Sequence, residues 1–209
     1  MAAALTRNRH ATTALAAPCQ KQSDGFNLRV QLSDPARDLT PSVDGLYLSG
    51  LRVSQGSYIG VASDQPSTYY LNDTTEGGRG ATVVHDIVGV YPFGLSVQGP
   101  TEFDSRYPTE HDVGLVVAGS GSGVTRGLEV SPSLTGPGSG GTYLVCRRTF
   151  VFPSGPAEIV TPRFLYEGES IPDEGCVPIA FVPECAALEP LPDGASWNHD
   201  SVITVSCVR

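Results

Sequence analysis

The sequence predicts an all-β fold: a single-domain antiparallel β-sandwich or barrel whose C-terminal third is stapled by disulfides. Three observations carry that expectation. Short apolar runs alternate with polar residues, helix-breaking residues recur every few positions, and four of the five cysteines crowd the last third of the chain. The 24 glycines and 17 prolines are just under a fifth of the 209 residues, against roughly 12% in an average chain, and they end or weaken helices wherever they fall. Hydrophobic residues at 40% with 17% charged residues suit a packed core rather than disorder. The length is that of one ordinary domain.

Residues 1–25 stand apart. They are rich in Ala, Thr and Arg and hold no acidic residue before Asp24. A secretory leader needs a continuous apolar core, and Arg7, Asn8, Arg9 and His10 interrupt this one. The segment superficially resembles a transit peptide and is expected to be disordered or cleaved, leaving 26–209 as the β-rich domain.

From Phe26 the elements follow in order. Phe26, Leu28, Val30 and Leu32 alternate with Asn27, Arg29 and Gln31, the period of two that marks a half-buried strand. LYLSGLRVSQGSYIGVAS at 46–63 reads as a hairpin turning at Ser54-Gln55-Gly56, with glycine supplying the positive φ. Further strands are expected at 67–71, 81–90, 94–98, 113–118, 127–130, 142–152, 158–166, 177–182 and 202–207. Pro190 and Pro192 hold 186–191 to a turn. About a dozen strands at this spacing indicate a sandwich or barrel.

Two glycine-rich stretches, 119–123 and 136–141, read as flexible surface loops. The second matches G-x-G-x-x-G, but the strand-like Thr142-Tyr143-Leu144-Val145 follows it, whereas a phosphate cradle must open a helix. No cofactor is expected.

Cys19, Cys146, Cys176, Cys185 and Cys207 form no C-x-x-C pair, and the four histidines are scattered, so zinc spacing is absent. In an oxidising compartment the last four cysteines make two disulfides. Three connectivities are open, with Cys146–Cys176 and Cys185–Cys207 preferred. Asn72-Asp73-Thr74 is an N-glycosylation acceptor placed after a strand and before a turn.

The net charge of -9 argues against nucleic acid and anionic membranes as partners. No apolar stretch approaches the ~18 residues of a membrane span. Lys21 is the one lysine beside twelve arginines. Arginine stacks and pairs through two hydrogen bonds where lysine does not, though codon bias produces the same skew.

Chemistry is sparse. No G-x-S-x-G elbow is present. Glu102, Asp104, Glu110 and Asp112 are carboxylates on a loop-like stretch with Tyr107 and His111 between them. They are the residues a glycoside hydrolase would use, since it needs two carboxyls across a cleft. The plainer expectation is a solvated acidic surface, or ion pairing with Arg106. Calcium could use the same carboxylates, but no EF-hand pattern accompanies them. Tyr69, Tyr70 and Trp197 are candidate ligand contacts, with Tyr91, Phe93 and Tyr107 as further rings for a sugar platform.

Several runs together resemble a family of small secreted fungal cell-wall proteins, typified by the phialide-associated cell-wall protein (PhiA-like), and related ascomycete secreted domains of unknown function. The carrying segments are Phe26–Val30, the stretch at 46–63, Tyr91–Leu95, Thr142–Cys146, Gly175–Phe181 and Gly194–Trp197. The resemblance implies a non-catalytic β-rich domain, extracellular or in the cell wall, with Cys146 and Cys176 as the shared disulfide. It supplies no catalytic residues, and Cys185 and Cys207 lie in an extension that it does not cover. The expected partners are cell-wall polysaccharide or, for an effector-like binding module, a host protein.

Overall fold

The computed structural model describes residues 20–54, 57–73, 80–87, 91–103, 106–118, 123–138, 140–172 and 175–209. Among them, all regular structure is strand apart from a single 3-10 turn at Pro35–Arg37. The strands are β1 (Gln20–Ser23), β2 (Gly25–Leu32), β3 (Tyr47–Ser54), β4 (Ser57–Ser63), β5 (Tyr69–Asn72), β6 (Thr82–Asp86) and β7 (Pro92–Val97). They continue with β8 (His111–Val117), β9 (Thr142–Phe152), β10 (Gly155–Leu165), β11 (Cys176–Ala186), β12 (Val202–Ile203) and β13 (Val205–Val208).

Eight strands close into an antiparallel barrel in the order β2, β5, β6, β7, β8, β10, β9, β11, with β11 pairing back onto β2. Of the two architectures expected, the chain adopts the barrel. Closure leaves those eight strands without an open sheet edge. The β3–β4 hairpin bridges the ring, joining β2 on one side and β8 on the other.

Alternation along the strands builds the interior. Phe26, Leu28 and Val30 of β2 are fully buried while Arg29 and Gln31 face outward, as a period of two requires. They join Leu48, Tyr69, Leu95, Leu115, Val145, Phe164 and Phe181 in one core. At its centre the Tyr143 ring meets Phe164 and Phe181 edge-on, with centroids 5.0 and 5.3 Å away, the geometry aromatic quadrupoles favour.

Both preferred disulfides are present, Cys146–Cys176 between directly paired residues of β9 and β11, and Cys185–Cys207 between β11 and β13. Cys19 lies outside the described residues, as do Gln55 and Gly56 of the expected turn.

Three expectations change. The sheet begins at Gln20, where β1 pairs with β13 from Gln20↔Val208 to Ser23↔Val205, so residues 20–25 are structured rather than part of a loose leader. Residues 127–130 form no strand, yet Leu128 and Val130 are core; their alternation fills the barrel from irregular backbone. The glycine stretch at 136–141 is packed. A Cβ at Gly136 or Gly141 would lie 2.1 or 2.2 Å from Cζ of the buried Phe164, and Gly141 has φ +140°. Of the 119–123 stretch only Gly123 is described.

Gly141→Ala is therefore expected to destabilise the fold by about 1–3 kcal/mol through overpacking, read as a lower thermal midpoint. A midpoint equal to the parent's would contradict the packing of this loop on Phe164.

Candidate functional site

Two polar clusters stand out from the apolar barrel. The first lies outside the wall formed by β9, β10 and β11. Tyr143 and Val145 point into the barrel, so Leu144, Cys146 and Arg148 take the other face, where Leu144, Cys146, Leu165 and Cys176 make a second small core. Glu110 closes over it with no exposure. Arg148 donates from Nε to Glu110 Oε1 at 2.5 Å and from Nη2 to Oε2 at 2.7 Å, the two-pronged geometry that offsets desolvation best. Arg163, also with no exposure, brings Nε to 3.7 Å from the same carboxylate and pairs through Nη1 with Asp112, its neighbour across β10 and β8. Tyr107 stacks under both guanidinium groups, 4.7 Å from Arg148 and 5.5 Å from Arg163.

Among the described residues, the expected hydrolase carboxylates thus do not face one another across a cleft. Glu110 is buried under Arg148 and Arg163 rather than solvated or set against Arg106, which lies over the Tyr107 and Phe150 rings. Asp112 is tied to Arg163, Glu102 accepts from the Gly99 amide at 2.9 Å, and Asp104 lies outside the described residues. Oxygens of Glu110 and the sulfurs of Cys146 and Cys176 come together, but both sulfurs are spent in a disulfide and the carboxylate already holds arginine. These residues do not fit a metal ion.

His111 is buried beside this cluster, with Nδ1 2.6 Å from the Glu102 carbonyl and Nε2 3.0 Å from Glu169. Both ring nitrogens face acceptors, so both bonds form together only when the ring carries two protons.

The second cluster sits at the end of β6. Asp86 Oδ1 accepts from Tyr70 Oη and from Trp197 Nε1, both at 3.0 Å, and Oδ2 lies 2.7 Å from His199 Nε2. Burial, then the charge of Asp86, pushes the Tyr70 hydroxyl well above the usual phenol range. Burial likewise pushes the neighbouring His85 imidazole below its ordinary value, against the opposing pulls of its hydrogen bond to the Thr68 carbonyl and of Asp86.

The expected ligand contacts separate here. Tyr69 is fully buried in the barrel core, and Tyr70, on the opposite face of β5 against Asp86 and His199, is 1% exposed; neither ring offers an open stacking platform, because β5 is covered on both faces. Phe93 is likewise core, whereas Tyr91 is 56% exposed. Trp197 is half-buried and borders three concave surfaces of about 240, 260 and 490 Å³. Asn72, expected at an exposed turn, is the last residue of β5, with its backbone paired to Val202 and Thr82 and its Oδ1 buried. Asp86, His199 and Arg148 were not singled out from the sequence. Arg148 and Arg163 do carry a signal, each being a charge inside an otherwise apolar strand run, whereas Asp86 and Trp197 are too far apart in the chain for spacing to join them.

Residues 23–185, most of the chain, match a domain of unknown function, DUF7907. The chain belongs to the DUF7907 family. The match takes in Cys146, Cys176 and Cys185 and the whole ion cluster, while Trp197, His199 and Cys207 lie beyond it. The chain is also similar to the antigenic protein SchS34 of the fungus Stachybotrys chartarum, 29% identical over 203 residues, which cover 91% of this chain and 88% of that protein. These likenesses place it in an uncharacterised fungal family. No solved structure matches it significantly.

Two outcomes follow from the clusters. Glu110→Ala strands the buried Arg148 guanidinium, removes one of the two carboxylates that face Arg163, and is expected to cost about 3–5 kcal/mol in denaturant unfolding; an unchanged midpoint would contradict the cluster's role. For His85 the folded-state value lies below the unfolded 6.5, so its stabilising contribution is complete above about pH 6.5 and is lost as pH falls toward the folded value. His85→Gln is therefore expected to flatten the decline in melting temperature between pH 7 and pH 5, and a decline as steep as the parent's would count against it.

Proposed function

We propose that the chain is a non-catalytic extracellular domain of a fungus with a structural role at the cell wall, as its likeness to PhiA-like proteins suggests. The observation that carries this reading is the pair of disulfides built into strands of the sheet, with Cys146 and Cys176 at 0% and 4% exposure. Such links persist in oxidising compartments. A relative that is named an antigenic protein accords with release from the cell. The engagement of Glu110 and Asp112 by arginines supports a scaffold rather than a hydrolase. Glycosylation at Asn72 is a proposal of this structural reading alone, since a glycan there would occupy the hollow that Asn72 borders.

A second reading is favoured by Trp197 and the exposed Tyr91, which border one concave surface. It makes the domain a secreted binding module for wall polysaccharide or a host protein.

Fractionation of the native host into cytosol, wall and medium, with thiol alkylation before and after reduction, tests the first reading. The expected result is wall or medium protein in which Cys146, Cys176, Cys185 and Cys207 are labelled only after reduction. Cytosolic protein with four free thiols would overturn it. Replacing both Cys146 and Cys176 by alanine is expected to lower stability by about 3–4 kcal/mol for a closed loop of this size, measured by chemical unfolding.

A further inference from the structure

We propose that the groove running past Trp197 binds a neutral pyranose oligosaccharide, with Trp197 and Tyr91 as stacking faces and Asn72 and Arg126 as polar contacts. This rests on the binding-module reading and assigns its site.

Trp197 is the sole tryptophan of the chain. Its Nε1 bond to Asp86 holds the ring in place, and the residue borders two hollows that concern a sugar. One hollow, about 490 Å³, is lined by both Tyr91 and Trp197. The other, about 260 Å³, is bordered by Asn72, Thr82, Arg126 and Asn198, and is smaller than the roughly 300–1,000 Å³ of a drug-sized pocket, a scale that suits one sugar ring. Two aromatic faces followed by amides, a hydroxyl and a guanidinium are the complement of a sugar, whose ring has an apolar C–H face and a hydroxyl rim.

Asn72 supplies the independent observation. Its Oδ1 is buried and meets no hydrogen-bond donor among the described residues, a costly state for an amide oxygen. Asn72 itself borders the smaller hollow, so a turn of its side chain would bring that oxygen within reach of a ligand hydroxyl. Arg126 on the smaller hollow and Asp193 on the larger one carry opposite charges, so the groove as a whole favours neither ion. Asp86 already accepts from Tyr70 and Trp197 and pairs with His199, which leaves little carboxylate to attract a cation. The net charge of -9 repels a polyanion.

The segment carrying Trp197 and Asn198 is held at both ends, because Cys185–Cys207 closes the chain around it with a separation of 22 residues. A binding loop ordered in advance loses less entropy when ligand arrives.

The single tryptophan is the reporter. Hexamers of β-linked glucose, of N-acetylglucosamine and of galacturonate would be titrated into the full chain while Trp197 emission is followed. Both neutral hexamers are expected to shift the emission saturably. Asn72→Ala and Arg126→Ala are each expected to weaken binding by about three- to tenfold, the loss of one hydrogen bond, with Arg126 on the surface and unchanged melting as the control for folding. Unaltered emission up to about 10 mM sugar, affinities unchanged in both variants, tightest binding of galacturonate, or a glycan attached to Asn72 in native-host protein would each overturn the site. Co-sedimentation with insoluble wall polysaccharide separates the two levels. Retention of wild type and of Trp197→Ala alike would sink this groove while leaving a binding module in place; no retention of the wild type, together with unaltered emission, would sink both.

Discussion

A carboxylate with no access to water lies against the barrel wall, and most of the architecture on that side depends on how its charge is met. Glu110 is tolerable only because the Arg148 fork and the Arg163 guanidinium surround it. Those arginines reach it because β9 and β10 are buried on both faces. Residues facing inward build the barrel core, and residues facing outward build a second layer around the Cys146–Cys176 disulfide. The Arg148 Nη2 lies 2.7 Å from Cys176 Sγ, so the ion pair and the disulfide share one dry compartment. Tyr107 roofs it and accepts a hydrogen bond from the Thr149 amide at 3.1 Å. Carboxylate, arginines and sulfurs hold the segment around Tyr107–Glu110 against three strands that are distant from it in sequence.

This explains which parts of the molecule could be read beforehand. β2 was legible because Phe26, Leu28 and Val30 alternate strictly with polar neighbours, and β9 because its run is long and rich in branched and aromatic residues. Four thiols crowded in neighbouring strands make two disulfides legible, while the choice among three connectivities is settled only by Cys146 and Cys176 facing each other across β9 and β11. The 127–130 segment misled because Leu128 and Val130 have strand-like spacing, yet only their side chains, not their backbone, join the barrel. β1 was missed because its QKQS sequence has no apolar face; it is held by backbone pairing to β13, a contact that leaves no trace in hydrophobic pattern. The acidic stretch was misjudged for a related reason. Nothing local distinguishes Glu110, which is buried, from the carboxylates around it, and its partners lie 38 and more residues onward. Tyr69 and Tyr70 show the limit for rings: adjacent residues on a strand point to opposite faces, and here both faces are covered.

The two disulfides do different physical work. Cys146–Cys176 joins residues already paired across β9 and β11, so it reinforces a wall that the core also holds. Cys185–Cys207 encloses the irregular stretch between β11 and β12, which has three prolines or glycines, Pro190, Pro192 and Gly194, and few apolar anchors of its own. Such a stretch would carry a large conformational entropy if it were tethered at one end alone. Tying it at both ends, and pinning its middle through Trp197 and His199 to the single carboxylate of Asp86, lets a loop of poor intrinsic order present a half-exposed indole in one orientation. The barrel supplies a rigid frame and the second disulfide carries that rigidity into the loop, which is where a closed barrel has room for recognition.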